Sequence, residues 1–468
     1  MKKAIDFGII GGGIGGCMSA VLLSKKLTTI LFEKESYLGG CSSTFKRSGC
    51  FFNTGATTFA GFNNQVLRNF FRKHQIDFKK KRLDFALCVK IKDKTVYRYE
   101  DFDKFIDSIN SAFYHKKNLE FWKLIFEINR DFYLIDDYFY DSANFINNIK
   151  SIYSFKTIFF KFYKYLFVTA KEFISKFFDN NIDSDYLNFL DNQCLIVAQA
   201  KTDEINFLTS ALALGYHFQQ NYYIYGGMGA IFDEMRKQIL ITKTNTFVQK
   251  IKKIEDFFII HTKDSSYEVK NIILNSTIFD SIELFEDKQT VNYFKKYQKL
   301  NSDIGAFMLY LELKQHLNLE HHYQIITNDT LPFTISNSIF VSFGDKLDDK
   351  LKNSVTISVH IKVSDWEEEY EYKKIILSNY ILTVLHEKLN ISNDMIKNSF
   401  CATPKTFKKF INRATVGGIP VTKDNLFYNI PSNITPIKGL YLVGDTTFAS
   451  QGWLGVAMGV RNLEKRLS

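Results

Sequence analysis

An apolar run, Phe7 to Ile10, leads directly into Gly11-Gly12-Gly13-Ile14-Gly15-Gly16. Strand, glycine turn and helix start in that order constrain the fold more than any other stretch, because they build a dinucleotide-binding unit. Gly11 permits the tight turn. Gly13 lets the backbone approach a pyrophosphate, and Gly16 lets the following helix pack on the strand while its N-terminal N–H groups face the phosphates. Cys17 to Lys26 shows helical periodicity through Met18, Val21 and Leu22, and Thr28 to Phe32 is β-branched and apolar, as a second strand requires. Glu33 stands 22 residues after Gly11 and a Gly39-Gly40 pair follows. A carboxylate there accepts hydrogen bonds from a ribose and repels a 2′-phosphate, which argues against an NADP-type ligand. NAD and FAD both remain open at this point.

Lys2 and Lys3 precede a stretch without charge from Phe7 to Ser24, a pattern that superficially resembles a secretion signal or membrane anchor. Asp6 and six glycines argue against that reading. Each glycine costs about 1 kcal/mol in a helix relative to alanine, so neither a cleaved signal nor a spanning segment is expected. With 468 residues, 46% of them hydrophobic, the chain is long enough for two cores and too apolar for disorder. The cysteines Cys17, Cys41, Cys50, Cys88, Cys194 and Cys401 form no C-x-x-C pair. Reduced thiols in a cytoplasmic protein are expected, with no metal; the adjacent His321-His322 reads as a polar loop. A net charge of +10 favours an anionic partner, but no zinc finger, RNP-type strand or basic block points to nucleic acid.

Five prolines and no repeat leave domain boundaries to changes of pattern. Cys50 to Gly61 reads as strand and loop, Gln65 to Gln75 as a helix, and Val89 to Tyr99 as a hairpin about Lys92-Asp93-Lys94. From Phe102 to Phe218 the helical period dominates. Gly226-Gly227-Met228-Gly229 opens a short helix, and Phe247 to Asn275 supplies short strands. Gly305 to Leu313, Ser338 to Phe343 and Ser354 to Lys362 read as strands of a sheet with one covered face, followed by a helix from Trp366 to Leu389.

The chain closes with a second informative block. Gly439-Leu-Tyr-Leu-Val-Gly444-Asp445 is a strand ending in Gly-Asp, and Gly452-Trp-Leu-Gly455-Val-Ala-Met-Gly459 starts a helix with apolar positions at Val456, Val460, Leu463 and Leu467. This offers another helix N-terminus, suited to electron density on a reduced isoalloxazine, with Asp445 as acceptor for a ribityl hydroxyl. Paired with the first forty residues, it favours FAD.

With these residues in hand the chain resembles the phytoene desaturase and carotenoid isomerase family, which includes retinol-saturase-like enzymes, within the amine-oxidase-like flavoprotein superfamily. Glu33-Lys34 with Leu38-Gly39-Gly40-Cys41 resembles the acidic residue and Gly-Gly motif. Phe52-Asn53-Thr54-Gly55-Ala56-Thr57-Thr58-Phe59 is similar to the family's F-D-x-G-P-x-x-F segment, and Tyr225 to Ile231 to its glycine-rich return into the cofactor domain; Thr403-Pro404 also fits. Asn53 replaces the usual Asp, Ala56 the usual Pro, and Ala449-Ser450-Gln451 a common Pro-Gly approach to the last helix.

The resemblance implies an α/β fold. A Rossmann-like FAD-binding domain is assembled from 1–75, 219–290 and 405–468, and an α+β substrate domain with a mixed sheet and a helical, membrane-facing layer from 76–218 and 291–404. It implies FAD held by Gly11, Gly13, Ile14, Gly15, Gly16, Glu33, Lys34, Gly39, Gly40, Cys41, Ser42, Gly55, Ala56 and Thr57. Val248, at a backbone contact to adenine, and Asn275, Gly444, Asp445, Gly452, Leu454, Gly455 and Val456 complete the set. The implied activity is hydride transfer to or from flavin N5 on an apolar polyene or isoprenoid-like substrate. An amine- or porphyrinogen-oxidising enzyme and a non-enzymatic prenyl-binding escort on the same fold are the alternatives. No catalytic residue follows from the sequence; His217 and Asp203 qualify only by position. In 149–178, Ile152, Phe155, Phe159, Phe162, Leu166, Phe173 and Phe177 share a helical face opposite Lys150, Lys156, Lys161, Lys164, Lys171 and Lys176. That basic amphipathic stretch, one helix or two in series, either packs on the core or docks peripherally on an anionic cytoplasmic membrane face.

Overall fold

The computed structural model describes residues 5–135, 138–422 and 429–467; Lys2 and Lys3 lie outside them. The opening strand Ile5–Ile10 is central in a sheet ordered Ile241–Lys243, Thr29–Phe32, Ile5–Ile10, Ser266–Leu274, Phe257–Thr262, Val248–Ile254. The first four of these pair in parallel, and the last two form an antiparallel extension. The short strand Leu440–Leu442 joins in parallel to the end of Ser266–Leu274. Both faces of the central strands are covered, which is why Ile9, Leu31 and Ile273 are fully buried in unbroken apolar runs.

The opening helix Ile14–Ser24 and the closing helix Gly452–Leu467 pack on one side of this sheet, joining Cys17, Met18 and Val21 to Trp453, Ala457 and Val460 in one core. A second sheet, ordered Ile396–Ala402, Ile304–Leu313, Ser354–Lys362, Ser338–Phe343, His322–Ile326, Phe85–Ile91, Lys94–Tyr99, builds the other half. Strand alternation gives it two unlike faces. Val355, Ile357 and Val359 pack under the helix Tyr370–Leu389, whereas Thr356, Ser358 and His360 point the other way.

Over that other face lies a layer of helices, Phe102–Ala112, Asn118–Tyr133, Phe145–Ser154, Lys156–Leu166, Ala170–Phe177, Ser184–Ala198 and Phe207–Leu214. The aromatic surplus of the chain fills it: Phe105, Phe121, Trp122, Phe189 and Phe207 are fully buried together. Arg98 is also buried there with no carboxylate partner among the described residues, bonded by its guanidinium to Gln193, the Leu214 carbonyl and His217. Gln193 donates to Gln324, and Gln324 donates to Ser338 Oγ at 2.7 Å, so this polar chain ties the helices to the second sheet.

Two expectations are corrected. His321-His322 is no polar loop: His322 starts a strand, lines a cavity and is 4% exposed, and Gln324 on the same face is buried against Gln193 of the helical layer. The 149–178 stretch is neither one helix nor two, since the chain breaks at Phe155 and again before Thr169, which caps the third helix with Glu172 in a capping box. Its apolar positions do not share one fate either. Phe155 and Phe162 are buried, while Ile152 and Phe159 are exposed, as are all six lysines. The strand Ile396–Ala402 went unread because an exposed sheet edge carries Lys397, Asn398 and Ser399 in place of apolar residues.

A Cβ on Gly16 would lie 2.0 Å from the Gly11 carbonyl oxygen, a backbone atom that cannot step aside. Gly16→Ala is therefore expected to cost about 1–3 kcal/mol in urea denaturation, as overpacking does; an unchanged midpoint would show that helix and turn do not pack as described.

Candidate active site

Four parallel strands of the first sheet end at one level. Gly11 N donates to the Phe32 carbonyl at 2.9 Å, Asn275 N to Ile10 at 2.8 Å and Val443 N to Leu274 at 2.8 Å. The residues just past those ends, Glu33, Gly11, Asn275 and Gly444, accordingly converge on one cavity. Ligands of parallel sheets bind at such carboxyl ends.

Asn275 shapes the floor of this cradle. Its Nδ2 donates to the Gly11 carbonyl at 3.3 Å, and a Cβ on Gly13 or Gly15 would come within 2.7 or 2.6 Å of its amide. The glycines thus leave backbone where side chains would stand, and no side chain caps the first turn of the opening helix. Glu33 braces the turn: Oε2 accepts from Gly12 N at 2.7 Å and Oε1 from Glu35 N at 2.9 Å. Burial pushes its carboxyl up, opposed by those backbone donors. Free lone pairs remain for a ribose. Gly39 and Gly40, both at positive φ, turn the chain into Cys41-Ser42 along the same wall.

Asp445 is not free for a ribityl group alone, because Arg413 Nη1 contacts both its carboxylate oxygens, at 2.9 and 3.1 Å. Burial disfavours the charge on Arg413, but Asp445 and Cys41 beside it outweigh this and hold the guanidinium protonated. Arg413 Nη2 and Trp453 Nε1 are buried on the cavity wall without a partner among the described residues, as expected of donors awaiting a ligand. Gly452, Leu454, Gly455 and Val456 bring the start of the closing helix to the same wall. Asn53 fills its role as an amide: Oδ1 accepts from Met228 N and from Thr44 Oγ1, both at 2.9 Å, fixing the glycine-rich return against the first hairpin.

Of the residues expected to hold the cofactor, Gly11, Gly13, Ile14, Gly15, Glu33, Lys34, Gly39, Gly40, Cys41, Ser42, Gly55, Ala56, Thr57, Val248, Asn275, Gly444, Asp445, Gly452, Leu454, Gly455 and Val456 all line one cavity of about 900 Å³. Gly16 does not; it serves helix packing. Neither His217, buried against Arg98, nor Asp203, exposed in a turn, lines it. The charged residues on the wall, Glu33, Lys34, Asp280, Arg413 and Asp445, sit on or beside the segments that leave the first sheet.

Beyond the cradle the cavity continues between the helical layer and the second sheet. Phe132, Ile135, Phe155, Ile158, Leu166, Ile196 and Leu212 line it from the helices, and Met308, Phe340, Ser342, Ser358, His322 and His360 from the sheet. Thr57 Oγ1 meets Ser342 Oγ at 2.8 Å, and Thr58 Oγ1 lies 2.9 Å from His322 Nε2, so the F-D-x-G-P-like segment docks on this sheet. Sequence reasoning missed Arg413, His322 and His360. Only Arg413 carried a signal, as a lone cation in an otherwise uncharged run from Phe410 to Val421.

Burial lowers His322 and His360 to about 4, so both rings are neutral near pH 7. The unfolded chain then binds more protons between pH 6.5 and about 4, and stability is constant above that window and falls through it as pH drops. The loss is on the order of 1–3 kcal/mol per ring. Urea midpoints at pH 7.5, 6 and 4.5 should show this decline, and His322→Gln should flatten it; a pH-independent midpoint would contradict the burial of these rings.

Among known proteins, the profile of the NAD(P)-binding Rossmann-like domain matches residues 9–74. Prolycopene isomerase 2 from an Oncidium hybrid cultivar, named as chloroplastic, is 26% identical over 489 residues, covering 96% of this chain and 81% of its own length. The Arabidopsis thaliana prolycopene isomerase is 25% identical over 507 residues, covering 97% and 81%. In structure, an oxidoreductase from Methanosarcina mazei superposes with a TM-score of 0.68 at 17% identity over 98% of this chain and all of the other. Putrescine oxidase bound to putrescine does so at 0.66 and 12%, over 99% and 98%. Along almost its whole length the chain is thus similar in sequence to prolycopene isomerases, and it shares the fold of putrescine oxidase.

Proposed function

We propose that this protein is an FAD-dependent oxidoreductase of the carotenoid isomerase and desaturase type, acting on an apolar polyene or isoprenoid-like substrate. One observation carries the reading: the glycine cradle opens without interruption into a chamber whose helical side is aliphatic and aromatic. The prolycopene isomerases, similar along 96–97% of this chain, support a polyene as the substrate class. Amine and porphyrinogen oxidation gain no comparable support, since the oxidases of that fold are only 11–12% identical. The escort reading is disfavoured by the unblocked cradle.

FAD fits the residues present. Gly11 to Gly15 and Arg413 would hold its pyrophosphate and ribityl chain, Glu33 its ribose, and the start of the closing helix the isoalloxazine. A flavin bound there supplies a two-electron hydride acceptor and donor at N5. The chain's own part is to align and to dry: Phe132, Ile158 and Phe155 present an apolar trough, and the wall from Thr57 to Ser342 closes the other side against water.

Entry from a bilayer suits such a substrate. Phe145, Phe160 and Phe167 are 78%, 75% and 74% exposed, with Ile149, Ile152 and Tyr163 beside them in sequence and the exposed Lys150, Lys156, Lys161 and Lys164 between. The same helix, Lys156–Leu166, turns Ile158 and Leu166 into the cavity. None of the described helices is long and apolar enough to cross a membrane. In this reading the protein lies peripherally on a cytoplasmic membrane face, each lysine near anionic lipid contributing about 1 kcal/mol.

Two measurements test this. Protein reconstituted with FAD should be yellow, and under anaerobic conditions should convert a cis-polyene, followed by chromatography; a colourless protein after reconstitution returns the escort reading. Flotation with anionic vesicles at low salt should carry the protein upward, and Phe160→Asp with Phe167→Asp should leave it in the soluble fraction with FAD still bound. Wild type that stays soluble sinks membrane docking.

A further inference from the structure

The wall that the second sheet gives to the chamber is unusually polar for a site that holds a hydrocarbon. Part of that polarity is already satisfied within the protein, Ser342 by Thr57 and His322 by Thr58. Two groups are not. Ser358 and His360 are two residues apart on the strand Ser354–Lys362, hence on one face of the sheet, and both line the cavity. Neither the Ser358 hydroxyl nor His360 Nε2 has a hydrogen-bond partner among the described residues, and His360 Nδ1 is buried and unpartnered as well. Their cross-strand neighbours offer none: Met308 and Phe340 flank Ser358, and Ala306 flanks His360. The His360 ring is instead held edge-on to Phe340, centroids 5.9 Å apart.

We propose that Ser358 and His360 are specificity-determining residues that hydrogen-bond a single neutral oxygen, hydroxyl or carbonyl, carried by an otherwise apolar polyene or isoprenoid substrate. The inference rests on the proposed function and narrows its substrate. A serine hydroxyl both donates and accepts, and a neutral imidazole does one or the other at its open nitrogen, so together they match an alcohol in either sense and a ketone or aldehyde as donors. Among the described residues the chamber offers no side chain to neutralise a carboxylate or an ammonium group, since the described charged residues that line the cavity sit at the nucleotide end. A pure hydrocarbon placed against the pair would bury both groups unpaired, the arrangement by which a site built for a hydroxyl rejects the analogue lacking it.

The test compares geranylgeraniol with its deoxy hydrocarbon, each titrated in detergent micelles into the FAD-loaded protein and read by quenching of tryptophan fluorescence. The alcohol should bind at least about tenfold more tightly, a difference of about 1.4 kcal/mol. Ser358→Ala and His360→Leu should each narrow that ratio towards one, while His360→Gln, which keeps a donor and an acceptor, should retain part of it. FAD affinity, measured by flavin fluorescence, should not move in these variants. Equal binding of the two probes overturns the inference and leaves the polyene oxidoreductase reading intact. A loss of FAD affinity in His360→Leu also overturns it, by giving the pair to the cofactor. Binding of neither probe overturns the inference together with the apolar substrate class on which it rests.

Discussion

The register of the parallel strands is the constraint on which the site depends. Phe7 to Ile10 pair with Asn271 to Leu274 on one side and with Thr29 to Phe32 on the other, and Ile272 to Leu274 pair onward with Leu440 to Leu442. Because the strands end together, residues from the two termini and the middle of the chain meet in one plane of backbone. Both faces of these strands are packed, so a slip of one residue would exchange Ile9, Leu31 and Ile273 of one core with Ile10, Ile30 and Leu274 of the other and would move the strand ends out of line with the cradle.

The second constraint is the wedge between helices and sheet. Both sides must pack, yet leave a chamber. The polar chain from Arg98 through Gln193 and Gln324 to Ser338 joins them at one place, and the aromatic core around Phe105, Phe121 and Trp122 stiffens the helical side. A buried guanidinium without a carboxylate is a costly way to fasten two layers. Its compensation is hydrogen bonds to neutral acceptors and the face of Tyr216, whose ring centroid lies 4.9 Å away.

Much of the nucleotide end was legible because its chemistry is backbone chemistry. Gly11, Gly13 and Gly16 announce themselves through what they lack, and Glu33 through its distance from them. The substrate end was not legible. Whether Ser358 faces a chamber or solvent, and whether Phe155 and Phe159 point the same way, depends on which layer lies above them. The polar pair His321-His322 looks alike in either case, which is why it reads as a loop from the sequence.

By itself the sequence determined the βαβ start, the strand-helix close, the helical middle and the flavoprotein resemblance, since each is written in local spacing of glycine, apolar and charged residues. Only the tertiary structure decided that Arg413 meets Asp445 and that the 149–178 stretch breaks into separate helices with aromatic residues on both sides. Those outcomes rest on contacts between residues far apart in the chain, where burial and pairing are set by neighbours that no local pattern names.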